Sequence, residues 1–294
     1  MDDKLKEAIK TSGNNLHIRT AKLLKDYGWT VNLSPYYNDE ITNKPREIDI
    51  IASKNFPINY GDNQKDTFKI VLFVECKFFK EEFAFRMFDN DKVKAFDACV
   101  TNDNVNRTEE FKTMLGNCHR YFRPGLVGKL YDLIKEDKRE NGNTDKIFNA
   151  MTQAVKSLIF FKENGFSDFG GKIFYYPVVC YSFEDEKGCP SHEKGIYSVK
   201  EGLDLDNSQF GHYFLFDLNY SYQGYVLNFA DSVKTKTILT QDFYVDFVQF
   251  CKFSEFLEQG IDNEAYSFKQ HFEGELKKEM EKKFFNDKMR RNKN

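Results

Sequence analysis

The sequence predicts an α/β fold, a central mixed β-sheet flanked by helices, with a helical insertion and a C-terminal extension. Three observations carry that prediction. Leu16, Thr20, Leu23, Leu24 and Tyr27 recur on one helical face, with Ala21 beside them. Val71, Leu72, Phe73 and Val74 form an unbroken apolar run, as in a strand buried on both faces. Ile147, Ala150, Met151, Ala154, Val155, Leu158 and Ile159 recur at the spacing of a long amphipathic helix. With 294 residues, 31 of them Phe and 16 Tyr, the chain is long and aromatic enough to fill a sizeable core.

In chain order, residues 3–10 suit a short helix, and Ser12-Gly13-Asn14-Asn15 breaks it. Asn14 or Asn15 is a good N-cap for a helix from about Leu16 to Tyr27, which Gly28 stops. Trp29–Leu33 alternates as a strand, Pro35–Pro45 is turn-like, and Arg46–Ala52 alternates again. Residues 55–66 read as a polar loop and Phe68–Phe78 as a strand. The mixed stretch 79–145 reads as an insertion with short helices at Asp91–Val100 and Val127–Glu136. Lys146–Phe161 is the clearest helix; Gln153 and Lys156 leave its apolar stripe. Lys172–Tyr181 is a central strand, with Pro177 expected at a strand start or a bulge. Glu184–Asn207 is loop-like, and His212–Tyr222, Tyr225–Phe229 and Thr240–Cys251 are further strands. A short helix from Ser254 to Gln259, closed by Gly260, precedes a charge-dense helix from Asn263 with a basic end over Lys283–Asn294.

A net charge of −3 does not advertise a nucleic-acid binder, but a local basic groove suffices, because affinity follows the phosphates contacted. No apolar run approaches the length of a membrane span, so no membrane partner is expected. Met1-Asp2-Asp3-Lys4-Leu5 does not resemble a signal peptide, and the six cysteines are scattered; both fit a cytoplasmic protein without a disulfide framework. The sequence contains no P-loop, no Gly-x-Ser-x-Gly elbow and no His-Glu-x-x-His helix. Cys118-His119 with Cys189 and His192 offers the residue types of a zinc site.

The chemistry concentrates in two stretches. Strand periodicity puts Glu75 and Lys77 on one face and Cys76 on the other, with Val74 and Leu72. In Arg46–Ala52 it puts Glu47 and Asp49 on one face, and Ile48 and Ile50 on the other. Pairing the two strands brings Asp49, Glu75 and Lys77 to one surface. Charges in a core strand are paired or bind metal. Two carboxylates and the Cys76 backbone carbonyl make a hard oxygen site that suits Mg²⁺.

Asp49, followed 26 residues later (75 − 49) by Glu75-Cys76-Lys77, resembles the signature of the PD-(D/E)XK nuclease superfamily, and its Mrr-like members in particular. The resemblance spans about residues 13–181. It implies a restriction-endonuclease-like core over 1–185 with the insertion at about 79–145, and further strands and a helix over 186–294 packed on that core. It also implies Mg²⁺-dependent phosphodiester hydrolysis, with Mn²⁺ as a substitute, by a DNA endonuclease in defence against foreign DNA. Asp49, Glu75 and the Cys76 carbonyl would hold the ion. Lys77 would position the water, or deprotonate it if its pKa is depressed.

Three accessory positions follow. The family's first helix often carries a Glu at the metal; here the position holds His17, which would touch the ion or a phosphate, or be a solvated helix residue. Gln153 matches a polar residue that relatives place near the metal. Glu47 would support Asp49 or pair with Arg46 or Lys44. The basic and aromatic run Arg120–Pro124 suits stacking on nucleic acid, or a surface loop. Expected partners are nucleic acid, DNA ahead of RNA, and a second copy or a partner protein where both strands are cut. The alternative is a non-catalytic nucleic-acid-binding or assembly subunit that keeps the fold.

Overall fold

The structure is a computed structural model and describes residues 13–39, 43–60, 64–79, 82–102, 116, 118–133, 146–164, 172–184, 190–191, 194–200, 209–228 and 233–291. The expected helix over residues 3–10 lies outside them, as do Cys189 and His192 of the zinc alternative.

Helix α1 (Gly13–Asp26) buries Leu16, Thr20, Ala21 and Leu24. It ends where Gly28 takes a φ of +77°. There the Gly28 N–H donates to the Lys25 carbonyl at 2.9 Å and the Trp29 N–H to that of Leu24 at 3.0 Å, the paired closure that an αL residue makes possible.

The strands are β1 (Thr30–Leu33), β2 (Tyr36–Asp39), β3 (Lys44–Glu47), β4 (Ile50–Tyr60), β5 (Gln64–Phe79), β6 (Phe83–Asp89), β7 (Leu126–Leu133), β8 (Ile173–Glu184), β9 (Pro190–Ser191), β10 (Ile196–Lys200), β11 (Gln209–Gly211), β12 (Tyr213–Asn228) and β13 (Val233–Gln249). The other long helices are α2 (Lys92–Asn102), α3 (Lys146–Asn164) and α4 (Asn263–Arg291). Among the described residues, eleven strands form one mixed sheet in the order β1-β4-β5-β8-β13-β12-β7-β6-β10-β11, with β9 on β8; β2 and β3 form a separate hairpin. The β4–β5 and β12–β13 pairs are antiparallel, and β5–β8 and β8–β13 are parallel.

Period-two alternation divides this sheet between two helical layers. Residues 70, 72, 74 and 76 of β5, 174, 176, 178 and 180 of β8, and 244 and 248 of β13 face α1, α2 and the C-terminal helices. Residues 79 of β5, 179, 181 and 183 of β8, and 243, 245 and 247 of β13 pack with α3 on the opposite face. Val71, Phe73, Ile173 and Tyr175 complete that second face with Leu158 of α3 and Tyr37 and Ile48 of the hairpin segment.

Several expectations are corrected. The stretch Pro35–Pro45 is no simple turn: it contains β2 and part of β3, paired from Tyr36↔Glu47 to Asp39↔Lys44. Residues 55–66 are largely the extended ends of β4 and β5, held by cross-strand pairing out to Tyr60↔Gln64 and not by any apolar alternation of their own. The insertion is not purely helical. α2 forms as expected, but Val127–Glu136 belongs to strand β7 as far as it is described, and β6 and β7 both join the main sheet. Gly128 allows their approach to β12, since a Cβ there would lie 2.9 Å from the Phe216 ring. Glu184–Asn207 contributes β9 and β10. The strands expected at His212–Tyr222 and Tyr225–Phe229 are one, β12. Pro177 sits inside β8, where the β13 pairing begins only at Val178, so its missing N–H interrupts no ladder on that side. Gly260 closes nothing: the helical path continues through a π-helical stretch (Phe256–Asp262) into α4. The 186–294 segment does not lie beside the sheet, because β13 occupies its middle.

Arg120–Pro124 is also corrected in its inner half. Arg120 and Tyr121 are buried. The Arg120 guanidinium donates to both carboxylate oxygens of Asp246 and, at 2.9 Å, to the Tyr213 hydroxyl. The Arg120 backbone N–H donates to Glu264 at 2.6 Å, and the Tyr176 hydroxyl donates to the other Glu264 oxygen at 2.8 Å. One buried cation thus ties the 119–124 turn to β12, β13 and α4. Burial raises the Glu264 carboxyl to about 7 despite the Arg120 charge. Among the described residues no helix is long and apolar enough to cross a membrane, and no two of the described cysteines are joined in a disulfide.

Removing Asp246 takes both of its carboxylate oxygens from the buried Arg120 guanidinium and leaves that charge only partly compensated by Glu264. Asp246→Ala is therefore expected to cost about 3–5 kcal/mol in urea unfolding, several times the effect of Lys252→Ala on an exposed pair.

Candidate active site

The chain does not run straight from β3 into β4. It bends at Ile48 and Asp49, so Ile48 packs on the α3 face and Ile50 on the α1 face. The expected single strand Arg46–Ala52 is therefore two, and the expected shared face of Glu47 and Asp49 does not exist. Glu47 pairs in register with Tyr36 in the hairpin and does not line the cleft.

The bend puts Asp49 at the head of β4. The β4–β5 register pairs Ile50 with Val74, which brings Asp49 to the Glu75–Cys76 segment of β5. The Cys76 backbone N–H donates to Asp49 Oδ2 at 2.7 Å. Glu75 and Lys77 point to the α3 face, as periodicity requires, and Lys77 Nζ donates to Glu75 Oε1 at 2.6 Å. Cys76 turns its side chain the other way, into the core with Leu72 and Val74. The structure thus brings Asp49, Glu75 and Lys77 together.

Glu75 is 2% exposed, and its Oε2 has no hydrogen-bond partner among the described residues. Burial raises its carboxyl to about 7; Asp49 adds to the rise, and Lys77 opposes it without cancelling it. Burial also works against the Lys77 charge, but the Glu75 and Asp49 carboxylates outweigh it and raise the Lys77 pKa. Lys77 is thus an ammonium here, not a base with a depressed pKa.

His17, on α1, is buried and not a solvated helix residue. Its Nδ1 lies 3.8 Å from Asp49 Oδ1, and its Nε2 has no hydrogen-bond partner among the described residues. Gln153 lines the cleft from α3, as expected for a residue outside that helix's apolar stripe. The cleft itself measures about 630 Å³ and is lined by Tyr37, Asp39, Arg46, Asp49, Cys76, Lys77, Phe78, Lys146, Asn149, Thr152, Gln153 and Lys156. Four cations, Arg46, Lys77, Lys146 and Lys156, face two carboxylates, so the cleft is locally basic although the chain is acidic overall.

Sequence reading missed Asp39. It is a buried carboxylate in β2, whose burial alternates from exposed Tyr36 to buried Asp39. In sequence Tyr36-Tyr37-Asn38-Asp39 shows no apolar alternation, two aromatics being followed by two polar residues; only burial in the fold alternates.

Among the described residues no three His, Cys, Asp or Glu side chains converge closely enough to hold a metal ion by themselves. The donor set present is Glu75, whose Oε2 is buried and unsatisfied, with Asp49 and backbone oxygen. That chemistry fits a hard divalent cation which keeps part of its water shell.

A Glu whose folded pKa lies above its unfolded value binds more protons folded than unfolded between the two. Stability is then fullest below about pH 4.5 and falls as pH rises through about 7. Glu75→Gln should remove its share of that fall, on the order of 2–3 kcal/mol. Urea unfolding at pH 5 and pH 8 checks this: the variant should match the parent more closely at the lower pH and exceed it at the higher.

The chain matches no protein-family model, no curated protein and no solved structure, so the case for its chemistry rests on these side chains.

Proposed function

We propose that this cleft hydrolyses phosphodiester bonds of nucleic acid, DNA ahead of RNA, as a Mg²⁺-dependent endonuclease with a restriction-endonuclease-like core. The observation that carries the reading is a buried carboxylate oxygen of Glu75 without a partner among the described residues, directly behind Lys77 and beside Asp49, which line a basic cleft. The Asp49 and Glu75-Cys76-Lys77 pattern, which resembles the superfamily signature, supports the same reading from the sequence. A role in defence against foreign DNA follows from that resemblance alone. Cutting both strands with one such cleft per chain calls for a second copy or a partner protein.

Asp49 and Glu75 would hold the ion, with the Cys76 carbonyl as a third oxygen and Mn²⁺ as a substitute. When bound, a divalent cation supplies Lewis-acid charge relief and a more acidic water. The chain's own groups do the rest. The Cys76 N–H fixes the Asp49 carboxylate. Lys77 brings a fixed positive charge to the scissile phosphate and orients the attacking water, which electrostatic preorganisation makes more effective than a mobile lysine. Glu75 must lose its proton to hold an ion, so binding releases a proton near pH 7. His17 stands behind Asp49 and limits where that carboxylate can turn.

A binding subunit without catalysis is favoured by one observation, the absence of three converging ligand side chains among the described residues. Calorimetric titration with Mg²⁺ separates the two readings: carboxylate-dependent uptake, lost in Asp49→Ala, is expected of the enzyme.

Plasmid, single-stranded DNA and RNA should each be incubated with the protein, with Mg²⁺ and with chelator. Cleavage is expected with Mg²⁺ only. Lys77→Ala should lower the rate by a factor on the order of 10²–10⁴ with an unchanged circular dichroism spectrum. A Lys77→Ala protein as active as the parent would remove the mechanism.

A further inference from the structure

Resting on the phosphodiesterase reading of the cleft, we propose that Arg46 and Lys156, held by buried Asp39, form a second phosphate subsite. It grips a phosphodiester next to the one cut, which makes the preferred substrate a chain of several phosphates and not an isolated nucleotide.

Three elements build the subsite. Asp39 lies on β2, Arg46 on β3 and Lys156 on α3. The Asp39 side chain is 1% exposed, against 23% for Lys156 and 47% for Arg46. Lys156 Nζ donates to Asp39 Oδ2 at 2.8 Å, and Arg46 Nε lies 3.7 Å from the same oxygen. The buried anion is thus the anchor, and the two cations reach from it toward the cleft.

A buried carboxylate is costly unless it is paired, and one cation would suffice to pair it. Here two cations surround it, so the cluster carries a net positive charge. Lysine and arginine each lose considerable rotamer freedom when they are ordered. Anchoring both to Asp39 imposes that loss during folding, before any ligand arrives, which is the condition for a preorganised anion site. Both cations line the same cleft as Asp49 and Lys77. Its volume of about 630 Å³ exceeds what one phosphate needs. Behind Asp39 and Lys156 the wall closes on a narrow apolar slot of about 30 Å³ with Phe160, Tyr220 and Tyr222, so the bound chain is held through its phosphates and not through a base.

The test is the salt dependence of binding. Protein silenced by Asp49→Asn is titrated with a fluorescent oligonucleotide, single-stranded and duplex, over a range of salt. Lys156→Ala and Arg46→Ala should each reduce the slope of log Kd against log salt by about one phosphate contact, roughly 0.7–0.9, and weaken binding about tenfold at low salt. Lys156→Arg should keep the slope. Asp39→Asn should act in the direction of both alanine variants; if it does not fold, the two more exposed variants decide. In active protein, Lys156→Ala should lower kcat/KM on the oligonucleotide about tenfold more than on bis(p-nitrophenyl) phosphate, which has no neighbouring phosphate. Unchanged slopes in both alanine variants, or equal losses on the two substrates, would overturn the subsite. Failure of the parent to hydrolyse either substrate would overturn the phosphodiesterase reading instead, and the binding slopes would still decide whether Arg46 and Lys156 contact phosphate.

Discussion

One hydrogen bond, from the Cys76 backbone N–H to the Asp49 carboxylate, joins the two halves of the cleft floor. Asp49 lies at a bend where strand pairing has not yet begun, and Glu75 and Lys77 lie well inside β5. Without that bond the Asp49 side chain would keep only the longer 3.8 Å contact of its other oxygen with His17. With it, the carboxylate is aligned to the strand that carries the other two groups. The bond depends in turn on the β4–β5 register, since a slip of one residue would carry Glu75 and Lys77 to the α1 face.

The sheet separates two kinds of buried charge. On the α3 face, Glu75 keeps one buried oxygen unsatisfied among the described residues, behind Lys77 at the cleft wall. On the opposite face, Arg120 is closed in by Asp246, Tyr213 and Glu264, with Tyr176, Tyr121 and Phe256 rings around its guanidinium. The second cluster is a structural tie, because its cation is spent on carboxylates and rings that come from six chain segments. The first is left incomplete, next to the cleft that Asp49 and Lys77 line. The same principle, that burying charge is costly unless compensated, reads as stability in one place and as a binding site in the other.

Legibility in the sequence followed the strength of the apolar pattern. α1, α3, β5 and β8 were readable because Leu16–Leu24, Ile147–Leu158, Val71–Val74 and Ile173–Cys180 carry dense apolar residues with clear periodicity. The β2–β3 hairpin, the outer ends of β4 and β5, and β7 were misread because their strand state comes from partners: Tyr37 pairs Arg46, Asn55 pairs Lys69, and Leu130 pairs Arg86. Polar residues adopt the extended state when a neighbouring ladder supplies the hydrogen bonds, and no local window contains that neighbour. At the site, Asp49, Glu75, Lys77 and Gln153 are legible from spacing and resemblance, Asp39 is not, and the face expected for Glu47 is removed by the bend at Ile48.

The sequence by itself determined the alternation within β5. A strand with Leu72, Val74 and Cys76 on one side must turn Glu75 and Lys77 to the other, because successive side chains point to opposite faces whatever surrounds them. Tertiary structure alone decided what lies opposite those two groups. α3 and the β2–β3 hairpin close over that face and supply Lys146, Lys156, Arg46 and Asp39, and a bend sets Asp49. Those residues are up to 117 positions apart in the chain, and only packing two layers on one sheet makes them neighbours.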